Sequence, residues 1–152
     1  MPSRAAIDDF LAQDHLAFVG ASRNPKEFAN SVYRTLREGG RTMYPVHREA
    51  PEIEGDTAFA RLADVPDPVD GVVIMAPPDA VAGLTREALD RGITRVWLHR
   101  GAGQGPVPAD AVALCEEAGV PVVDGACPLM FEGHVGGVHR LHRYFVRRRI
   151  AA

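Results

Sequence analysis

Short apolar runs alternate along the chain with segments whose apolar residues recur every three or four positions. The runs are nearly uninterrupted, which is typical of parallel strands that are buried on both faces of a sheet. They predict five strands, at residues 16–19, 42–46, 71–76, 94–99 and 120–123. Strands that alternate with helices favour right-handed crossovers and a parallel sheet covered on both sides.

Helical spacing and end signals predict the helices around these strands. Polar or proline residues stand where the helices begin, and glycines stand where they end. The predicted helices begin at Ser3, Phe28, Asp79 and Pro108, and glycines 39, 92 and 119 end the last three. Between residues 49 and 68 the pattern is weaker, and it predicts only a short helix around 58–62 that Pro66 confines.

The alternation predicts a single domain over residues 1–152 with a three-layer, Rossmann-like α/β fold. The fold class favours the strand order 3-2-1-4-5, which places the topological switch point beside the first strand. Ligands of such sheets bind at the carboxyl ends of the strands, next to the switch point. Four loops are expected to meet there, at residues 20–24, 47–51, 76–79 and 100–105.

Composition limits the range of partners. The net charge is −3, which argues against general binding of nucleic acid. No apolar run approaches the length of a membrane span, and the N-terminus lacks the apolar core of a signal peptide. Cys115 and Cys127 do not have the paired spacing of a zinc site. We therefore expect a cytoplasmic protein with two thiols and no membrane partner.

The turn after the first strand is the best candidate for binding chemistry. Gly20-Ala21-Ser22 ends the strand, and a helix is predicted to begin just beyond Asn24-Pro25. Backbone N–H groups at such a turn point outward, and the helix dipole adds partial positive charge. The turn therefore suits a phosphate, with Arg23 and Lys26 close to the helix start.

The end of the second strand narrows the choice of ligand. The first turn lacks the G-x-G-x-x-G pattern of a dinucleotide fold, since Gly20 is not followed by the two later glycines. NAD-binding proteins place an acidic residue at the end of the second strand, but here His47-Arg48 stands at that position. A cation favours a phosphate on the ribose, so NAD is disfavoured. The 3′-phosphate of coenzyme A (CoA) and the 2′-phosphate of NADP remain open.

At this point the sequence resembles a known family. It is similar to the stand-alone CoA-binding proteins and to the N-terminal Rossmann-like domain of the succinyl-CoA synthetase alpha subunit. The motifs that carry the resemblance are VGAS at 19–22, NPK at 24–26, YPV at 44–46, PVDGVVIMAPP at 68–78, and the fourth strand running into Gly101.

The resemblance implies a ligand, CoA or an acyl-CoA, and assigns residues to it. Gly20, Ala21 and Ser22 would wrap the pyrophosphate, and Arg48 would stand near the adenosine phosphate. The residues that would border the adenine, the pantetheine and the rest of the ligand path are His47, Met75, Ala76, Pro77, Pro78, Val81 and Gly101. Members of the family often carry Asn or Lys where this chain has His47-Arg48. The 152 residues contain no ligase domain, so we expect binding without synthetase activity.

Two other classes of function remain open. An NADP-linked or acyl-CoA-processing enzyme would need a proton donor at the same edge, and His47, His99 and Cys127 are the candidates. Ser22 does not lie in a G-x-S-x-G motif, so it is not expected to be a nucleophile. The basic segment 138–150 is predicted to form a helix that packs its apolar side on the domain or on a second subunit and leaves its arginines in water. A regulatory scaffold that docks an acidic partner through this helix stays open, and RNA is a less favoured partner.

Overall fold

The computed structural model describes residues 2–99 and 107–132. The helices are α1 (Arg4–Leu11), α2 (Phe28–Glu38), α3 (Pro78–Asp90), α4 (Ala109–Glu117) and α5 (Leu129–Glu132), with a 3-10 turn at Leu62–Asp64. The strands are β1 (His15–Val19), β2 (Thr42–Val46), β3 (Glu52–Ile53), β4 (Asp56–Thr57), β5 (Gly71–Ile74), β6 (Val96–Leu98) and β7 (Val122–Asp124). The predicted basic helix at 138–150 and Gly101 lie outside the described residues.

A five-stranded parallel sheet forms the centre of the molecule, as predicted, but its strand order differs from the predicted one. The order is β2-β1-β5-β6-β7, which is 2-1-3-4-5 when only these five strands are numbered. The predicted order 3-2-1-4-5 is therefore wrong. Pro45 within β2 has no N–H to give to a neighbouring strand, and prolines of this kind are confined to edge strands. The fully buried β5 instead pairs with β1, so the switch point still lies beside β1.

The segment between β2 and β5 also departs from the prediction. Residues 58–59 are extended instead of helical, and Phe59 lies against the outer edge of β2. The Phe59 N–H donates to the Pro45 carbonyl at 2.9 Å, and the His47 N–H donates to the Phe59 carbonyl at 2.8 Å. The antiparallel pair β3–β4 precedes this contact, and only the 3-10 turn remains of the predicted helix.

Side chains that alternate along the central strands build two cores, one on each face of the sheet. Phe18, Val73 and Trp97 face α1, α2 and α5, where Phe10 packs edge-on against Trp97 with the ring centroids 5.2 Å apart. The intervening residues of the same strands face α3 and α4. This arrangement confirms the three-layer fold with helices on both faces.

The helix ends agree with the sequence signals except at the starts of α3 and α4, and α4 begins one residue after Pro108. The Ser3 hydroxyl accepts the Ala6 N–H at 3.1 Å and caps α1, as predicted. Asp79 was expected to cap α3, but the helix begins one residue earlier, at Pro78, so Asp79 lies in its first turn. Proline at the first helical position is favoured because its missing N–H would have no partner there. Within the described residues, no helix is long and apolar enough to cross a membrane.

Candidate functional site

The loops that follow β1 and β5 touch backbone to backbone at the switch point. Gly20 has a φ of +123°, and a Cβ atom built on it would lie only 2.1 Å from the Met75 carbonyl oxygen. The Met75 N–H also donates to the Val19 carbonyl at 2.8 Å. Glycine is therefore required at position 20 for two reasons, its backbone conformation and the closeness of Met75.

A buried asparagine fixes the next part of this loop. The Asn30 side chain accepts the Ser22 N–H at 2.9 Å and donates to the Ser22 carbonyl at 2.8 Å. Asn30 is 1% exposed, so both hydrogen bonds lie away from water. The Ser22 N–H therefore points inward, whereas the N–H groups of Ala21 and Arg23 donate to no other described residue.

The Ser22 hydroxyl stabilises the turn itself. It accepts the Asn24 N–H at 3.0 Å and lies 3.3 Å from the Asn24 carbonyl, to which it donates. Asn24 in turn accepts the Lys26 N–H through its side chain at 3.1 Å. These short-range bonds are typical of serine and asparagine in turns, and they set the path of the chain into α2.

One carboxylate oxygen ties both ends of residues 22–25 to the β3–β4 hairpin. Glu54 Oε1 accepts the Asn30 side-chain amide at 2.9 Å and the Arg34 guanidinium at 2.7 Å. The same Arg34 nitrogen donates to the Pro25 carbonyl at 3.0 Å. We call Asn30, Arg34 and Glu54 the loop clamp. The sequence analysis did not identify it, because Glu54 lies 24 residues from Asn30 and 20 from Arg34, in a different part of the fold.

The N-terminus of α2 presents backbone donors next to this loop. The residue before the helix, Glu27, makes no side-chain capping bond, and the first turn contains no acidic residue. The N–H groups of the first turn of a helix carry partial positive charge and are suited to an anion. Lys26 is exposed just before this turn, and Arg23 forms an exposed ion pair with Glu49 at 3.1 Å.

In the loop after β2, the neighbouring residues His47 and Arg48 have different surroundings. His47 Nδ1 accepts the N–H groups of Glu49 at 3.1 Å and Ala50 at 2.9 Å, so the imidazole ring fixes the path of the loop. Arg48 is exposed and forms no ion pair with any other residue in the described part of the chain. Of the two, Arg48 is the cation that is free to contact a phosphate.

The loop after β5 contributes an apolar wall. Met75 and Ala76 are half-buried, and Pro77 and Pro78 are exposed at the start of α3. Val81 was expected to add an apolar contact to the ligand, but it is 5% exposed and belongs to the core between the sheet and α3.

The end of β6 brings a buried histidine to the same edge. His99 is 7% exposed, and neither ring nitrogen has a hydrogen-bond partner among the residues the structure describes. Burial lowers the pKa of His99, because the charged form would lose its hydration. Its ring lies 5.8 Å, between centroids, from the ring of Phe28 in the first turn of α2, so the end of β6 packs beside the start of this helix.

Both cysteines occupy positions in the fold that would suit a small apolar residue. Cys115 is buried on α4, and burial raises its pKa to about 11, so it stays a thiol at neutral pH. Cys127 is half-buried against the core beside α1 and α2. Within residues 2–99 and 107–132, no group of three His, Cys, Asp or Glu side chains is arranged to hold a metal ion.

The fold and this edge of the sheet define a family. The family model for the CoA binding domain matches residues 14–132, so the chain belongs to the CoA binding domain family. The match includes all five strands of the parallel sheet and each of the described edge loops.

The relatives found by sequence and by structure agree with this assignment. The chain is 27% identical to the uncharacterized protein YneT of Bacillus subtilis over 83% of its own length and 91% of that protein. It is 30% identical, over 59% of its length, to the alpha subunit of an ADP-forming acetate–CoA ligase II of Pyrococcus furiosus. The alignment spans only 20% of that subunit. The crystal structure of Prb, a PH1109 protein redesigned for binding, superimposes with a TM-score of 0.76 and 26% identity, covering 86% of this chain and 89% of that one.

Replacing Gly20 tests the contact between the two loops. Gly20→Ala is expected to lower the free energy of unfolding by about 2–3 kcal/mol, since the methyl group meets the Met75 carbonyl in a strained conformation. Gly83→Ala is the matched control, because Gly83 lies in α3 with open space around it and should gain about 0.5–1 kcal/mol. Urea unfolding of both variants checks the prediction, and equal stabilities would contradict it.

Replacing Asn30 tests the loop clamp. Asn30→Ala leaves the Ser22 N–H and carbonyl without partners, and we expect a loss of about 2–3 kcal/mol in the free energy of unfolding. Glu38→Ala, on the exposed end of the same helix, is the control and should change stability by less than about 0.5 kcal/mol. Amide hydrogen exchange should in addition become faster in residues 21–26 of the Asn30 variant only. Unchanged exchange there would show that the loop does not depend on Asn30.

Proposed function

We propose that the chain binds CoA or an acyl-CoA reversibly at the carboxyl edge of its sheet and does not turn it over. The observation that carries the proposal is the position of the Gly20 loop. It lies at the switch point, against the uncapped start of α2, in a member of the CoA binding domain family. A backbone turn beside a helix N-terminus is a common anion site, and CoA carries a pyrophosphate.

The contacts available at this edge match the parts of CoA in order. The N–H groups of Ala21, Arg23, Phe28 and Ala29 are the donors for the pyrophosphate, with Lys26 nearby. Arg48 supplies the cation for the 3′-phosphate of the adenosine. The wall formed by residues 75–78 borders the adenine and the pantetheine. His47 takes part indirectly, since its ring holds the backbone that carries Arg48.

Four ligands test both the choice between CoA and NADP and the contribution of the 3′-phosphate. We expect calorimetric titration at moderate salt to give tight binding of CoA, weaker binding of dephospho-CoA, and little or no binding of NADP and NAD. NADP bound more tightly than CoA would favour the reductase class instead. No binding of any of the four would overturn the proposal.

Arg48→Glu tests the assignment of the 3′-phosphate. The substitution should weaken CoA binding about tenfold or more and leave dephospho-CoA nearly unchanged, because only CoA places a phosphate beside this residue. Arg86→Glu, on the exposed face of α3, changes the net charge equally and is the control. Equal losses for CoA and dephospho-CoA would remove Arg48 from the phosphate site.

A further inference from the structure

The three cations at the carboxyl edge of the sheet differ in their surroundings. Lys26 and Arg48 are exposed, and neither forms an ion pair with a residue that the structure describes. Arg23 instead donates to a carboxylate oxygen of Glu49 at 3.1 Å. A phosphate can therefore contact Lys26 and Arg48 directly, whereas the Arg23 guanidinium is already bound to an acidic group.

The Arg23–Glu49 ion pair joins two loops whose backbones are fixed. Arg23 follows Ser22, whose N–H and carbonyl are both bonded to the buried side chain of Asn30. On the other loop, the Glu49 N–H donates to Nδ1 of His47. The two backbones therefore hold the charged side chains within reach of each other, across the gap between the loops that follow β1 and β2.

The ends of the two side chains lie largely in water. The Arg23 side chain is 61% exposed, and the Glu49 side chain is 78% exposed. Exposed ion pairs are weak, because water screens the attraction and because holding two long side chains in one geometry costs conformational entropy. The guanidinium can therefore exchange one anionic partner for another with little effect on the stability of the fold.

A phosphate at the Gly20 loop is a stronger partner for Arg23 than the Glu49 carboxylate. In the proposed complex the pyrophosphate contacts the N–H groups of Ala21 and Arg23, so it lies beside the residue that carries this side chain. Contacts between arginine and phosphate are charge-assisted and frequently bidentate. Since the carboxylate and the phosphate are both anions, they compete for one guanidinium.

We infer that Glu49 is an intramolecular competitor of the ligand phosphate, which holds Arg23 in the free protein and is displaced when CoA binds. The inference rests on the proposed function, because it needs the pyrophosphate at the Gly20 loop. Glu49 thereby lowers the affinity for every ligand that carries this pyrophosphate, whether or not the ribose is phosphorylated. Arg48, by contrast, distinguishes CoA from dephospho-CoA, so two neighbouring residues set affinity and selectivity separately.

Removing the charge of Glu49 tests the competition. Glu49→Gln should strengthen the binding of CoA and of dephospho-CoA by the same factor, about threefold, in calorimetric titration at moderate salt. Glu52→Gln, on β3, is the matched control, because Glu52 is an exposed carboxylate without an ion pair among the described residues. The control should change each affinity by less than about 1.5-fold, since salt screens its charge. Unchanged affinities in the Glu49 variant, or a gain for CoA alone, would overturn the inference.

A double substitution shows whether Glu49 acts through Arg23. Arg23→Gln should weaken the binding of both ligands about threefold, and adding Glu49→Gln to it should cause no further change. If Glu49→Gln strengthens binding by the same factor in the Arg23→Gln background, the carboxylate acts on the ligand directly and the competition for Arg23 is refuted.

The carboxyl carbon of Glu49 provides a readout in the unaltered protein. Its NMR signal should move when CoA or dephospho-CoA is added, and the signal of Glu52 should stay in place as the internal reference. Binding of CoA without movement of the Glu49 signal would refute the competition and leave the proposed function intact. Absence of CoA binding would refute the proposed function, and the inference with it.

Discussion

The approach of Gly20 to the Met75 carbonyl is the constraint on which the rest of the site depends. It brings the ends of β1 and β5 into direct backbone contact, which no residue with a side chain permits. Because the two strands leave the switch point on opposite sides, their exit loops would otherwise diverge and open a gap at the edge. The contact closes the floor of this gap, and the chain then turns at Ala21 towards α2, with the Ser22 N–H directed inward to Asn30.

A continuous polar network holds the outer side of this turn. It begins at Ser22, passes through the loop clamp, and ends where Tyr33 and Arg37 donate to Asp56 on β4. Burial and the neighbouring Asp56 carboxylate raise the pKa of Tyr33, so the phenol stays protonated and keeps donating. Arg37 also donates to the Glu54 carbonyl at 2.6 Å, which holds the hairpin tip where Glu54 has a φ of +53°. The short hairpin, which has little core of its own, therefore serves as the outer support of the loop.

Local patterns predicted the elements well, because apolar runs and helical spacing record burial directly. The five strands, the Ser3 cap and the turn after β1 were all visible in this way. The strand order was not, since pairing depends on contacts between distant residues, although Pro45 was a local sign that β2 lies at an edge. The extended path of Phe59 was missed for a related reason. Its conformation is set by two hydrogen bonds to β2 and not by its neighbours in sequence.

Among the candidate site residues, too, some could be predicted from local sequence and others depend on contacts between distant residues. Gly20 was singled out from its position after a strand, and Arg48 from its charge at the end of another, and the ligand contacts of both stay predictions. The loop clamp and the unpaired nitrogens of His99 could not be predicted from the sequence, because burial and hydrogen-bond partners depend on how the chain folds. His47 illustrates the difference most clearly, since its sequence position implied a ligand contact whereas its ring accepts two backbone N–H groups.

The strand-like contact of Phe59 with β2 also limits how the sheet can grow. The Pro45 carbonyl and the His47 N–H are the groups with which the outer edge of β2 would recruit a strand from another molecule, and Phe59 already uses both. Pro45 itself offers no N–H. The carboxyl half of this edge is thereby closed to strand addition, so a strand from another molecule cannot extend the sheet beside the loop that carries Arg48.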